Sequence, residues 1–416
     1  MANETLKTLI SLYDKTARQM ENNFSYAQSV EVDTHPGTQL QNANNVYWRN
    51  VEQQRPGFQG WDATGLEAPI IEQGYPLALS EPWNDFIPVR VDDLRDKGFL
   101  ERASRASADK QNSILNKGVS NLVTTTGSLY YESNSTDFDF VAEADTLMTE
   151  RQAYRGMGSS FFLTPRNNQL MAGNLASRTL YPENRSEKAY GTALIGENVA
   201  GFDLLRAPTY GTVAASAYSS TISADVLNIP EGADVSGASP VNIDYRLGTV
   251  PVASAAGLAV GDVVTMGVNS VGISDKTDTG QLMTFKVTAI NGTTVSVFPK
   301  PIAIGQAGIT PEQEAYANIA SPILSGATIA AVNVTGGQAN AFWANDSICV
   351  VNGDAPLELL NDFDGMKVVS ETLANGVKLY MAYDANLATL NCRVRMFTWY
   401  GLVNKDPSRN GVAIKI

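Results

Sequence analysis

The chain carries a single histidine in 416 residues, His35, and this limits the chemistry open to it. A Ser-His-Asp triad, a Cys-His dyad or a multi-histidine metal site would have to be built around that one ring. His35 lies in Asp33-Thr34-His35-Pro36-Gly37, a loop sequence with a turn signal, and reads as an exposed loop residue. Cys349 and Cys392 match no CxxC spacing and suggest no zinc; two buried thiols and a single bridge both stay open. Asp92, Asp93 and Asp96 form the kind of acidic cluster that holds a metal or moves protons. Arg90 and Arg95 interleave with them, so a solvated, mutually neutralised helix start is expected instead. Asp275-x-x-Asp278-x-Gly280 lacks the closing Glu of a calcium loop and reads as a polar hairpin tip. Gly156-Met157-Gly158-Ser159-Ser160 lacks the third glycine of a dinucleotide fingerprint and the Lys of a P-loop. Glycosidase chemistry needs only two carboxylates, and nothing singles out a pair. No catalytic, metal or cofactor-binding residue is assigned, and no cofactor is expected.

Composition narrows the class further. Hydrophobic residues make up 44% and charged residues 18%, which suits packed cores; the length suggests two or three units. With 30 Lys and Arg against 43 Asp and Glu, the net charge of −13 argues against a dedicated nucleic-acid binder. A shell that must not grip its cargo would want this sign. No segment approaches the roughly 18 apolar residues of a spanning helix, and the first 30 residues lack the apolar core of an export signal, so a cytoplasmic protein with no membrane partner is expected.

The elements follow from periodicity. Leu6, Leu9, Ile10 and Tyr13, continued by Ala17 and Met20, form a helical stripe. Such a helix packs on its own domain or serves as an arm on a partner. The arm reading expects that deleting residues 1–20 leaves subunit melting nearly unchanged while impairing assembly. From Asn45 to Arg90 the pattern is an overlong two-stranded excursion with turns at Arg55-Pro56-Gly57 and Gly60-Trp61-Asp62. Such a hairpin is marginal in water unless it lies on something. Asp93 to Val123 reads as a long helix with apolar sets Phe99/Ala103/Ala106 and Leu115/Val119/Leu122 around a polar middle, expected to lie across a sheet with much of its length near solvent or a neighbour. A shorter helix follows at Val141–Tyr154. No tryptophan lies between Gly211 and Phe342, and short β runs recur there, with Asn291-Gly292 signalling a type I′ hairpin. This block reads as a β domain, residues 222–342, able to fold alone around Val, Ile, Leu and Phe298.

Several segments resemble, in the same order, the major coat proteins of short-tailed, double-stranded-DNA phages of the Salmonella type. They include Trp48 with Val51-Glu52-Gln53, Gly60-Trp61-Asp62, Glu81-Pro82-Trp83-Asn84-Asp85-Phe86, Phe140-Val141-Ala142-Glu143-Ala144 and Met157-Gly158-Ser159-Ser160-Phe161-Phe162. Val199-Ala200-Gly201-Phe202-Asp203, Thr310-Pro311-Glu312-Gln313, Phe342-Trp343-Ala344 and Trp399-Tyr400-Gly401 complete the series. The resemblance implies an α+β, Hong Kong 97-type phage capsid fold with an inserted small β-barrel. Its parts would be an N-terminal arm (1–40), an E-loop hairpin (41–92) and a P-domain spine helix with the first part of an A-domain (93–221). The barrel (222–342) and the rest of the A- and P-domains (343–416) would follow. The implied function is structural and non-enzymatic: assembly with a scaffolding protein into an icosahedral procapsid of hexamers and pentamers that expands on DNA packaging. Implied partners are copies of itself, a scaffolding protein, a portal protein and packaged DNA without specific binding. The implied place is the virion capsid, assembled in the host cytoplasm. Expected contacts are Glu231, Asp234, Asp244 and Arg246 between capsomers, Leu6, Leu9, Ile10 and Tyr13 in the arm, and Trp61 and Asp62 in the E-loop. The alternative class is a β-rich surface or carbohydrate-active protein, supported only by the Gly/Ser/Thr-rich middle.

Overall fold

The computed structural model describes residues 2–23, 26, 29–34, 45–51, 60–62, 64, 72–79, 82–90, 93, 96–135, 138–153, 158–177, 199–230, 244–353, 366–386 and 391–416. The chain forms two compact units.

The first unit takes Met1–Val46, Leu77–Val119 and Ile348–Val403. The N-terminal stripe forms helix α1 (Ala2–Asn23), burying Leu9, Leu12, Tyr13, Thr16, Ala17 and Met20 along one face. Tyr13 Oη donates to the Leu379 carbonyl at 2.8 Å, pinning the helix to the strand Lys378–Asn386. That strand belongs to an antiparallel sheet ordered Met366–Thr372, Lys378–Asn386, Asn391–Thr398, Trp83–Arg90. The long helix α2 (Lys97–Thr126) begins in this unit. Its polar middle does not face solvent as expected: Ser104, Ser107, Gln111, Asn112 and Asn116 are buried, while Phe99 and Ala103 are half-buried and Ala106 is exposed. The reason is hydrogen bonding. Gln111 donates to the Trp83 carbonyl at 3.1 Å and accepts from Thr398 Oγ1 at 2.8 Å, and small serines leave room for the sheet. A second sheet pairs Glu31–Thr34 in parallel with Ile348–Asn352, followed by Tyr400–Asn404.

The second unit takes Tyr47–Pro76, Ser120–Ser347 and Asn404–Ile416. Its five-stranded sheet runs Leu129–Ser133, Asn410–Lys415, Gly337–Ala344, Ser159–Leu163, Asp203–Arg206. Helix α3 (Phe138–Glu150) buries Phe140, Val141, Ala144 and Met148 in this unit, and helix α4 (Pro165–Ser177) follows the strand Ser159–Leu163. Phe161 stacks on Phe342 with centroids 5.6 Å apart, and Phe140 and Phe202 meet it edge-on. Phe202 reaches that cluster through a two-residue turn. Val199 and Phe202 exchange both backbone hydrogen bonds, and Ala200 and Gly201 both have positive φ, the type I′ pattern.

The β insertion forms a six-stranded sheet in the order Gly248–Pro251, Thr294–Phe298, Asp278–Asn291, Val263–Val271, Thr328–Ala331, Ser219–Thr221. The Ile222–Val252 bridge and the hydrogen bond from Ala253 N to the Thr221 carbonyl join its two ends, so the sheet closes into a barrel. Val250, Val264, Phe285, Val287, Val295, Val297 and Ile329 fill the interior. Phe285 and Tyr218 are the aromatics of this cluster; Phe298 instead lies beside Arg246. The expected hairpin is present, but the positive φ falls on Gly292 alone, which is a type II′ pattern rather than I′. β-branched Thr293 would strain at a positive φ, and a II′ turn spares it. Gly337–Ala344 lies outside this sheet and pairs with Asn410–Lys415. Where the chain enters and leaves the barrel, Ser216 N donates to the Asn333 carbonyl, while Asn333 Nδ2 bonds Ala214 O and Asp262 Oδ1.

The excursion pairs Asn45–Val51 with Glu72–Ala78.

Candidate functional site

The acidic groups that looked chemical are structural. Asp93 Oδ2 accepts from Arg90 N at 3.1 Å. Asp96 Oδ1 accepts from Gly98 N at 2.8 Å at the head of α2, and that hydrogen bond holds its carboxyl below the ordinary range. Asp275 Oδ1 accepts from Thr277 N and Oγ1, and Asp278 Oδ1 from Gly280 N, the self-bonding of a hairpin tip. Cys349 and Cys392 are both free and buried, which decides between the two sequence readings. Among the described residues, no three His, Cys, Asp or Glu side chains gather to hold a metal ion. His35, Asp92, Arg95 and Gly156 lie outside the described residues.

Arg246 is a densely connected cation of the second unit. Its fork meets Asp244 in two parallel bonds, Nε to Oδ1 and Nη2 to Oδ2, each 3.0 Å. Nη1 donates to the Asn404 carbonyl at 2.6 Å. The guanidinium lies 3.9 Å over the Tyr75 ring, on the return strand of the excursion, and 5.2 Å from Phe298. The side chain is only 9% exposed. Arg246 therefore ties Asp244 to the return strand of the excursion through Tyr75 and to Asn404, the last residue of the strand Tyr400–Asn404. It is committed within the chain, and Asp244 with it, which changes the role that the sequence suggested for the pair. The sequence signal was there to read: one arginine two residues from an aspartate, in a stretch almost without other bases.

The barrel docks on its own unit through polar side chains that point away from its core. Thr284 Oγ1 donates to the Ser128 carbonyl, and Lys286 lies 5.8 Å from the Tyr130 ring with Nζ 3.4 Å from the Gly261 carbonyl. Burial lowers the Lys286 pKa to about 8, opposed by the attraction of Asp262. Arg151, buried after α3, has its pKa lowered to about 10 by desolvation and reaches the Leu282 carbonyl. Gln152 Oε1 accepts from Ser274 N and Asp275 N at 3.1 Å each. No periodicity marked Arg151, Gln152 or Lys286, because each faces a surface formed only by the tertiary fold.

The remaining expected contacts divide. Trp61 is fully exposed, and Asp62 beside it closes a local turn by accepting from Thr64 N and Oγ1. Leu9 and Tyr13 are buried in their own unit and Ile10 is exposed, so the arm expectation is corrected for Leu9 and Tyr13: their surface is already covered by the sheet of the same chain. The Leu6 side chain, and Glu231 and Asp234, lie outside the described residues.

A family model described as P22 coat protein, gene protein 5, matches residues 1–415. Among solved structures, the capsid of cyanophage P-SCSP1u aligns over 92% of this chain and 86% of its own at 8% identity, TM-score 0.44. The mature capsid of bacteriophage PhiM1 aligns over 93% and 85% at 8% identity, TM-score 0.41. The CUS-3 coat protein I-domain aligns over 29% of this chain and 99% of its own at 35% identity, TM-score 0.22.

Proposed function

Because this chain belongs to the P22 coat protein family and is a structural major capsid protein, we propose that it assembles with a scaffolding protein into an icosahedral procapsid that expands when DNA is packaged. The family match over residues 1–415 carries this reading, and it leaves the carbohydrate-active alternative without support. The shell is built of hexamers and pentamers in the host cytoplasm, with a portal protein at one vertex and DNA held without specific binding. In Hong Kong 97-type terms, residues 41–92 are the E-loop, α2 is the spine helix, and the barrel is the inserted domain. Residues 1–40 are the N-terminal segment, and 343–416 complete the A- and P-domains.

Two surfaces make the contacts between copies. Trp61 and Asp62 sit at the exposed turn of the E-loop, where a fully exposed tryptophan suits burial against a neighbour. Glu231 and Asp234 lie in the Gly/Pro/Ser-rich segment that precedes Asp244 and Arg246 in the sequence, and they meet basic partners on the next capsomer. Each exposed ion pair contributes only about 0.2–1 kcal/mol, but repetition around a closed shell multiplies a small term into a decisive one. Coexpression with the scaffolding protein tests this. Glu231→Lys with Asp234→Lys is expected to spare the fold yet give aberrant particles or free capsomers, and wild-type assembly is expected to weaken as salt rises. A normal yield of procapsids from the double reversal would refute the segment's role.

A further inference from the structure

In a chain of net charge −13, one face of the first unit's four-stranded sheet is basic. In the register of its last two strands, Arg393 stands opposite Pro88, Arg395 opposite Phe86 and Asn391 opposite Arg90. Directly paired residues share a face, and residues alternate along each strand. Arg90, Arg393 and Arg395 therefore stand on one side with Phe86 and Pro88. Val394 and Met396 point to the other side, where Ser107 of α2 meets Met396, and both are wholly buried. On the open side all three arginines are exposed, and Phe86 is 59% exposed. Across the next strand pair, Arg393 faces Asp384, the one acid that the register puts on this face among the described residues. Arg395 is held in place: its Nε donates to Asn84 Oδ1 at 2.7 Å and its guanidinium lies 5.4 Å from the Phe397 ring. The strand Trp83–Arg90 is also the edge of the sheet among the described pairings.

We propose that this face docks an acidic surface of a second copy of the chain, as a contact separate from the E-loop turn and the 231–243 segment. Charge complementarity points to that occupant. The chain carries 43 acidic against 30 basic residues, so another copy presents mostly acidic surface to a concentrated basic patch. An exposed phenylalanine among arginines has the make-up of an interface centre, where aromatic and arginine side chains are enriched. The net charge of the whole chain opposes the approach of duplex phosphates to the same patch.

The test uses the full chain, with wild-type shells as the control. Arg393→Glu with Arg395→Glu is expected to leave circular dichroism and melting unchanged and to lower shell yield by about tenfold or more, since a small local term is repeated at every copy. Arg393→Lys with Arg395→Lys, which keeps the charge, is expected to restore most of the yield. Folded reversal protein that gives shells in wild-type amount would overturn the proposal. Should the reversal fail to fold, a photo-crosslinking side chain at exposed position 86 of an otherwise native chain decides the matter. Coat-to-coat adducts within shells support the contact. Adducts to nucleic acid, or none, reject it.

Discussion

Arg246 and Lys286 are both buried cations, and they act on stability with opposite sign. Arg246 has a carboxylate fork, a carbonyl and an aromatic face arranged around it. Its removal leaves Asp244 and the Asn404 carbonyl without their donor, so Arg246→Ala is expected to cost about 3 kcal/mol. Arg246→Lys should recover only part of this, because an ammonium cannot fork onto a carboxylate or lie flat on Tyr75. Urea unfolding midpoints measure both; a negligible cost for the alanine variant would contradict the clamp. Lys286 has weaker partners, a carbonyl at 3.4 Å and a ring at 5.8 Å with no carboxylate fork, and its pKa falls from 10.5 to about 8 on folding. A base with a lowered folded pKa is destabilising while charged. The penalty is present in full below pH 8, shrinks as the native state loses its proton, and is gone above pH 10.5. Stability should therefore rise from pH 8 towards pH 10 by on the order of 1–3 kcal/mol. Lys286→Met should be more stable at pH 7 and lose that rise. The groups facing Lys286 do not reverse the sign: burial keeps Tyr130 protonated well above this range, and the attraction of Asp262 only softens the shift.

Among the elements, α1 is where the periodicity and its interpretation part company. The stripe was legible and the helix is there, yet a stripe cannot say whose surface it covers. Leu12 is wholly buried and Leu9, Tyr13 and Met20 nearly so, with Tyr13 and Asn112 adding hydrogen bonds at either end. Leu12→Ala should cost roughly 2–5 kcal/mol, and removal of residues 1–22 should prevent stable folding rather than leave melting unchanged. Differential scanning calorimetry of the two variants decides this; an unaltered transition in the truncated chain would restore the arm interpretation. In α2 the sequence again gave length but not orientation. Large apolar residues marked one face, and the structure buries the serine and glutamine face because strand carbonyls and hydroxyls wait there as partners. Hydrogen-bond satisfaction of that kind leaves no periodic trace. The insertion was the reverse case. Short alternating strands, turn dipeptides and a base-poor composition are all local signals, and together they marked a small β domain, whose interior is largely valine and isoleucine around Phe285. Three details were missed: the turn type at Gly292, by one residue of register; Phe298, which lies beside Arg246; and the bounds, since Ser219–Thr221 joins the sheet and Gly337–Ala344 leaves it.

At the level of the whole molecule, the single histidine narrowed the chemistry to what one ring or a carboxylate pair could do, and collinear segments pointed to a coat-protein family that the family match bears out, with no site in view. That suits a protein whose function lies in many weak contacts. The exposed Trp61 turn, the 231–243 segment and the basic sheet face are the three surfaces proposed to meet other copies. The central claim is that such copies close into a shell, and electron cryomicroscopy of particles made by the full chain with its scaffolding protein tests it most directly. The account predicts closed icosahedral particles of hexamers and pentamers, with density for Trp61 against a neighbouring subunit and for residues 231–243 bridging capsomers. Well-folded protein that stays monomeric, or forms only open aggregates with Trp61 in solvent, would contradict it.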